Sequence, residues 1–290
     1  MEIDSFYTKG SSHTECQDYA LSGSFKNLKG EPQPYAVISD GCSSSPHSDL
    51  GARLLSFGYL LCLKLFYVEP YGIRDLTAVS LYAENHVKTY EGLLALSPHQ
   101  ASPIDATMLG CTYHDSLVEV STSGDGYVLA RKRESGEWVK IKISFNESAP
   151  AYLSYGLSKK RFQKYYADYG VRTLHRVDGP DQISVEVEKL FHAEEDFALY
   201  PSKCTKQFNF SEKDYDLILV ASDGLDSFLD SSGKHIEDTI ILKELLSFKN
   251  FKGNFIQRRV GAFLSRTCKK NGWTHYDDLS VSGLYLPLEQ

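Results

Sequence analysis

The sequence predicts an α+β fold: a four-layer α-β-β-α sandwich with two central antiparallel sheets, in one domain over residues 1–290. Two observations predict it. Period-two apolar strands follow one another through short turns, which implies hairpins rather than a βαβ wind. Helical patterns come in two separated groups, so each group has an outer sheet face to cover.

In chain order, "YAVIS" at 35–39 is the first strand signal. A helix follows, with Ser48 or Asp49 as N-cap and Leu50, Leu54, Phe57, Leu61 and Leu65 at helical spacing. A second helix at about 74–91 places Leu76, Val79, Ala83 and Val87 on one face. The period then changes to two: "ATMLGCTYH", "SLVEVSTSG", "GYVLARKR" and "EWVKIKISF" read as successive strands, the last pair joined across "ESGE". Residues 146–182 are polar, Tyr-rich and broken by Gly156, Gly170 and Gly179-Pro180, which predicts a less regular surface segment with one helix at 158–168. Strand-like runs return at 183–190, 196–200 and 215–222. A helical block at 236–270, with Ile256, Val260, Phe263 and Thr267 sharing a face, precedes the last strand, "LSVSGLYL" at 279–286.

A hydrophobic content of 42% with 12% aromatics supports a large core and excludes disordered or fibrous classes. Net charge is -7 and no basic stripe gathers, so neither nucleic acid nor a membrane is the expected partner. The apolar stretch "LLSFGYLLCLKLFYV" reads as too short and too punctuated to span a bilayer. The N-terminus shows neither a basic n-region nor an apolar h-region. The six cysteines form no C-x-x-C pair and predict free thiols in a reducing, cytoplasmic setting.

Aspartates recur where apolar runs start or stop: Asp18 in "ECQDYAL", Asp40 in "ISDG", Asp125 in "SGDGYVL", Asp223 in "ASDG", and Asp277-Asp278 in "HYDDLSV". An Asp ending a buried strand is held on rigid backbone, and a following Gly exposes its carbonyl for close approach. Singly, each is ordinary turn chemistry. Gathered at one end of a sandwich, they could not all ionise without compensation. Mg²⁺ or Mn²⁺ supplies it, since carboxylate, carbonyl and water are the ligands those ions prefer. A two-metal site lowers the pKa of a water and clamps an in-line displacement at phosphorus.

In order and spacing these motifs resemble the metal-dependent PP2C (PPM) protein phosphatases, bacterial subgroup, over almost the whole chain. "CQDYA" is similar to the family's Asn-Glu-Asp box and "VISDGCSSS" to its Asp-Gly-His-Gly-Gly box. "DATMLGCTY", with Thr107, resembles the Ser-Gly-Ser-Thr-Ala strand, and "TSGDGYVLAR" the Gly-Asp-Ser-Arg box. "LVASDGLDSFLD" and "YDDLSV" resemble the two C-terminal aspartate boxes. The resemblance implies that Asp40 bridges two metals and that the Gly41 carbonyl serves the first. Asp223 and Asp277 bind the second, Asp18 supports the pair through waters, and Asp125 serves a third. It implies attack by a metal-bridging water on phospho-Ser/Thr of a protein substrate, in opposition to a cognate kinase.

The departures fall at three places. The family's phosphate-gripping Arg falls on His13, a monodentate and pH-dependent partner. The Asn and Glu of the first box become Cys16 and Gln17, and a His proposed as general acid becomes Cys42. Cys42 has no paired base in view to make it a nucleophile. A segment at about 146–212 stands where bacterial members carry a flap. Its Lys159, Lys160 and Arg161 read as a solvated basic face or as an attractor of phosphorylated substrate. Two other functions stay open: hydrolysis of a small phosphorylated molecule, and a non-catalytic binding module of the same fold.

Overall fold

Strand formation follows the two-residue alternation, including places where the sequence shows it weakly. The computed structural model describes residues 1–68, 79, 81–86, 103–179, 182–192, 197 and 200–288. Its strands are β1 (Glu2–Thr8), β2 (Asp18–Lys26), β3 (Pro32–Asp40), β4 (Met108–His114), β5 (Leu117–Ser123), β6 (Gly126–Lys132) and β7 (Trp138–Phe145). They continue with β8 (Val171–Asp178), β9 (Ile183–Lys189), β10 (Thr205–Ser211), β11 (Tyr215–Ala221), β12 (Phe228–Leu229), β13 (Thr274–His275) and β14 (Leu279–Tyr285). One sheet runs β1-β14-β11-β6-β7-β8-β9 and the other β10-β5-β4-β3-β2; β12 and β13 form a small ribbon. Among the described residues every ladder is antiparallel, as the hairpin order requires.

Helices cover the outer faces. Helix α1 (Ser48–Val68) lies on β2, β3 and β4. The helices Asp238–Leu245 and Phe255–Ala262 cover the seven-stranded sheet over a second apolar cluster containing Leu129, Leu219, Ile241 and Phe263. The sandwich is therefore α-β-β-α.

Three elements differ from the sequence reading. First, α1 buries a different stripe. Ala52, Leu55 and Tyr59 are buried on the sheet, whereas Phe57, Leu61 and Leu65 are each more than a third exposed. The helix is apolar nearly all round, so periodicity alone leaves its face undetermined. It is also longer than the apolar stretch suggested: by length and hydropathy, Ser48–Tyr67 is long and apolar enough to cross a membrane, and half of it is buried against the protein.

Second, the segment 146–212 is more regular than its composition suggests. It supplies β8 and β9 to one sheet, β10 to the other, and the expected helix at Lys159–Asp168. Val171–Asp178 pairs along β7 despite its charges, because tertiary pairing overrides propensity. The strand expected at 196–200 lies mostly outside the described residues, and Tyr200–Cys204 is helical. Third, a π-helical turn at Phe263–Cys268 inserts extra chain into the last helical block, so Cys268 rather than Thr267 is buried. Of the helix expected at 74–91, Val79 and Ala83 are buried as predicted, and the rest lies largely outside the described residues.

All six cysteines are free, with Cys62, Cys111, Cys204 and Cys268 buried. Strands β1 and β2 also form where the sequence showed no strand signal.

Candidate active site

The β2–β3 ladder builds the first half of the site. Its register sets Asp18 directly opposite Asp40. Like charges facing each other across a strand pair are destabilising. Asp18 is only 2% exposed, and its carboxylate oxygens make no well-formed hydrogen bond, the Ser280 and Ser222 hydroxyls beside them offering only partial compensation. Such a buried, poorly satisfied carboxylate is costly as an anion. Burial accordingly pushes the Asp18 carboxyl up to about 7. Asp40 is also held well above the usual carboxylate range, first by burial and then by the charges of Asp18 and Asp223.

The backbone around Asp40 is fixed from both sides. Its N–H donates to the Thr107 hydroxyl at 3.0 Å, and the Thr107 N–H donates back to the Asp40 carbonyl at 2.8 Å. Thr107, singled out in the sequence, thus positions the acidic strand end. Gly41 N–H donates to the Gln17 carbonyl at 3.2 Å. A Cβ on Gly41 would lie 2.7 Å from the Ser48 carbonyl oxygen, so the chain turns here only as glycine.

The seven-stranded sheet supplies the second half. Asp223 opens the turn after β11, where Ser222 and Ser280 tie β11 to β14: each backbone N–H donates across at 3.0 Å, to the Ser280 carbonyl and the Ser222 hydroxyl respectively. Next to it, Gly224 passes so close to the opposite chain that a Cβ would sit 1.8 Å from the Asp278 carbonyl oxygen. Gly224→Ala is therefore expected to cost about 3–5 kcal/mol, the range of a severe backbone clash. Urea unfolding would measure it, and a loss below about 1 kcal/mol would contradict the packing described.

Asp125 lies at the crossing from β5, in one sheet, to β6, in the other. Burial, followed by the charge of Asp223 and then those of Asp226 and Asp277, pushes its carboxyl up to about 8. Asp277 is raised as well, by burial and then by Asp223. Asp40 feels the charges of Asp18 and Asp223, and Asp125 and Asp277 that of Asp223, so the five expected aspartates lie near one another at one end of the sandwich.

Asp278 behaves differently from its neighbour. It is 1% exposed and accepts from Gly10 N–H at 2.7 Å and from Gln17 N–H, and its Oδ2 lies 3.0 Å from His13 Nδ1. It therefore straps the loop before β2 to the start of β14. His13 Nε2 lies 3.6 Å from Asp277 Oδ1, so the imidazole stands between the two carboxylates.

Asp105 is the residue that the sequence reading passed over. Only 4% exposed, it accepts from Arg161 Nη2 at 2.7 and 2.6 Å, from Ser154 Oγ at 2.6 Å and from Ser45 Oγ at 3.1 Å. Its carbonyl also accepts from Cys42 N–H at 2.8 Å. Asp105 thus joins the loop after Asp40 to the segment 146–212. This corrects the reading of Arg161 as a solvated or substrate-attracting cation: it is committed to Asp105 and lies 4.7 Å from the Tyr155 ring. The only sequence signal was position, two residues before Thr107. Lys159 and Lys160 are exposed, as a solvated face requires. Cys42 Sγ contacts Ser44 Oγ at 3.0 Å, which gives it no base.

The donor set suits hard divalent cations. Asp18 faces Asp40, Gly41 follows Asp40 in the chain, and the unpaired oxygens of Asp18 mark where positive charge is wanted. Among the described residues, no three acidic, His or Cys side chains already close into a tight ligand shell. A cleft of about 510 Å³, lined by Lys142, Asp226, His235, Glu237 and Tyr276 among others, holds none of the five expected aspartates in its wall.

A family model described as Protein phosphatase 2C matches residues 8–242, and the chain belongs to that family. Among solved structures, Serine/threonine phosphatase Stp1 from Staphylococcus aureus superposes with TM-score 0.52 at 12% identity, covering 99% of this chain and 96% of that one. A bacterial serine phosphatase gives TM-score 0.52 at 13% identity, covering 100% and 99%. The PP2C phosphatase domain of SpoIIE from Bacillus subtilis gives 0.50 at 12%, covering 100% of this chain and 65% of that one. At these identities the likeness establishes the fold. The comparison with curated proteins found no match.

Proposed function

We propose that the chain is a divalent-metal-dependent phosphomonoester hydrolase that removes phosphate from phospho-Ser/Thr of proteins. The observation that carries this reading is the Asp18–Asp40 pair: two carboxylates set face to face, one of them buried with neither oxygen in a well-formed hydrogen bond. Asp40, the Gly41 carbonyl, Asp223, Asp277 and Asp18 would hold two Mg²⁺ or Mn²⁺ ions, with Asp125 at a third position. Bound there, the ions supply an acidified water and charge neutralisation at phosphorus.

The chain's own groups do the positioning. Thr107 fixes the end of β3, and Ser222 with Ser280 fixes the end of β11, so the two acidic walls are held on separate sheets. His13, held by Asp278, would donate to the phosphate in its protonated form. The fold and family carry the same reading in Stp1, a serine/threonine phosphatase by its description.

The test is hydrolysis of p-nitrophenyl phosphate with Mn²⁺ and with EDTA, followed by a phosphopeptide panel. Turnover is expected with metal and not with chelator. Undetectable or metal-independent turnover of the intact protein would sink the proposal and favour a binding module.

A further inference from the structure

One edge of the seven-stranded sheet is β9, and among the described residues no further strand pairs with it. Ile183, Val185 and Val187 lie on one face and are 67%, 52% and 65% exposed. Natural edge strands are normally blunted by charge, proline, bulges or a covering loop. The other face of β9 is engaged with the protein: Glu186 and Glu188 lie 3.1 and 3.6 Å from Lys206 Nζ, and Glu188 accepts from Arg172. The apolar face is thus held outward by ion pairs behind it.

The hydrogen-bond parity of β9 follows from its ends. Asp178 N–H donates to the Gln182 carbonyl, and Leu190 N–H donates to the Gly170 carbonyl, both at 2.8 Å. Even-numbered residues of β9 therefore bond to β8. The N–H and C=O groups of Ile183, Val185 and Val187 point away from the sheet. The three apolar residues that face solvent are also those with unclaimed backbone groups.

We propose that β9 pairs antiparallel with β9 of a second copy of this chain, about a two-fold axis at Val185. That register sets Val185 opposite Val185 and Ile183 opposite Val187, and it forms about six backbone hydrogen bonds. On the other face it sets Ser184 opposite Glu186 and Gln182 opposite Glu188. Moving the axis to residue 186 or 187 would instead set Glu186 against Glu186 or against Glu188, which is repulsive. The strand is self-complementary in the way an isologous contact demands, and a foreign strand would not need that symmetry. Pairing joins two seven-stranded sheets into one. The contact is small, so dissociation lies at the weak end of specific interfaces.

Sedimentation equilibrium of the whole chain from about 1 µM to about 500 µM tests this. The expected result is a monomer–dimer equilibrium that Val185→Lys abolishes, because two lysines would face each other across the axis. Circular dichroism and Tm of the variant should match the parent, since the site is exposed. Val185→Cys should cross-link under mild oxidation, its opposed Cα atoms lying about 5.5 Å apart. Val187→Cys and the parent, with its half-exposed Cys16 and Cys42, should not. A monomer throughout the range overturns the proposal and leaves the strand to an extended segment of another protein. A dimer indifferent to Val185→Lys, or equal cross-linking by Val187→Cys, overturns it too.

Discussion

Asp40→Asn is expected to lower metal-dependent phosphatase activity by roughly 10²–10³-fold or more, the scale of losing one group that stabilises developing charge. In metal-free buffer at alkaline pH, where both facing carboxyls are ionised, the same variant is expected to be more stable than the parent. The substitution removes one of two facing charges and brings an amide N–H within reach of the poorly satisfied oxygens of Asp18. A gain of about 1 kcal/mol corresponds to roughly 2–4 °C in Tm for a chain of this size class. Activity and stability should therefore move in opposite directions. Scanning fluorimetry in EDTA at alkaline pH alongside the phosphatase assay decides it. A variant that loses both would show that Asp40 serves the fold, and the account of two opposed carboxylates would fail.

The second large effect is a pH dependence that metal reverses. Asp18 at about 7 and Asp125 at about 8 start from an ordinary value of 3.8, and Asp40 and Asp277 are raised as well. Between about pH 4 and pH 8 the folded chain then binds more protons than the unfolded one. These groups contribute stability that is fully present below the unfolded value and is lost as pH rises through the folded values. His275 acts in the opposite sense, since burial lowers it, but it is one group against four. The carboxylates held low, such as Asp178 and Asp238, lose their contribution only at more acidic pH.

The metal-free protein is thus expected to lose roughly 5–10 °C in Tm between pH 5.5 and 8.5. Mg²⁺ should abolish that loss, because ligands must be deprotonated and affinity climbs with pH. Calorimetry at the two pH values, with EDTA and with Mg²⁺, reads both parts. A Tm that rises with pH in EDTA would overturn the picture of a strained acidic cluster.

How much of this was legible beforehand depended on range. The acidic strand endings were visible because Asp-Gly after an apolar run is a local pattern. That Asp18 faces Asp40 was not, since register is set by the whole ladder and β2 itself gave no strand signal. The fate of Asp277 and Asp278 shows the same limit. The dipeptide was plain, yet only the approach of Gly10, His13 and Gln17 reveals that Asp278 is spent on structure while Asp277 stays in the acidic field. Arg161 sat in a basic run that read as a solvated face, and its buried acceptor lies 56 residues away. On α1 the failure was one of excess, because a helix apolar all round names no face. The π-helical turn at Phe263–Cys268 leaves no trace in the hydrophobic period except a phase slip that is seen only afterwards.

The link at Asp105 has a consequence for how the molecule opens. One buried carboxylate receives the Ser45 hydroxyl from the loop beyond Asp40, and Ser154 and Arg161 from the segment 146–212. The segment cannot lift away without taking Arg161 and Ser154 from Asp105 and leaving it with the loop's Ser45 alone, so their excursions are coupled. Loop and segment thereby form a single unit of local unfolding, with one opening free energy between them. Trimming residues 146–212 to obtain a minimal domain would consequently loosen the very loop that follows Asp40.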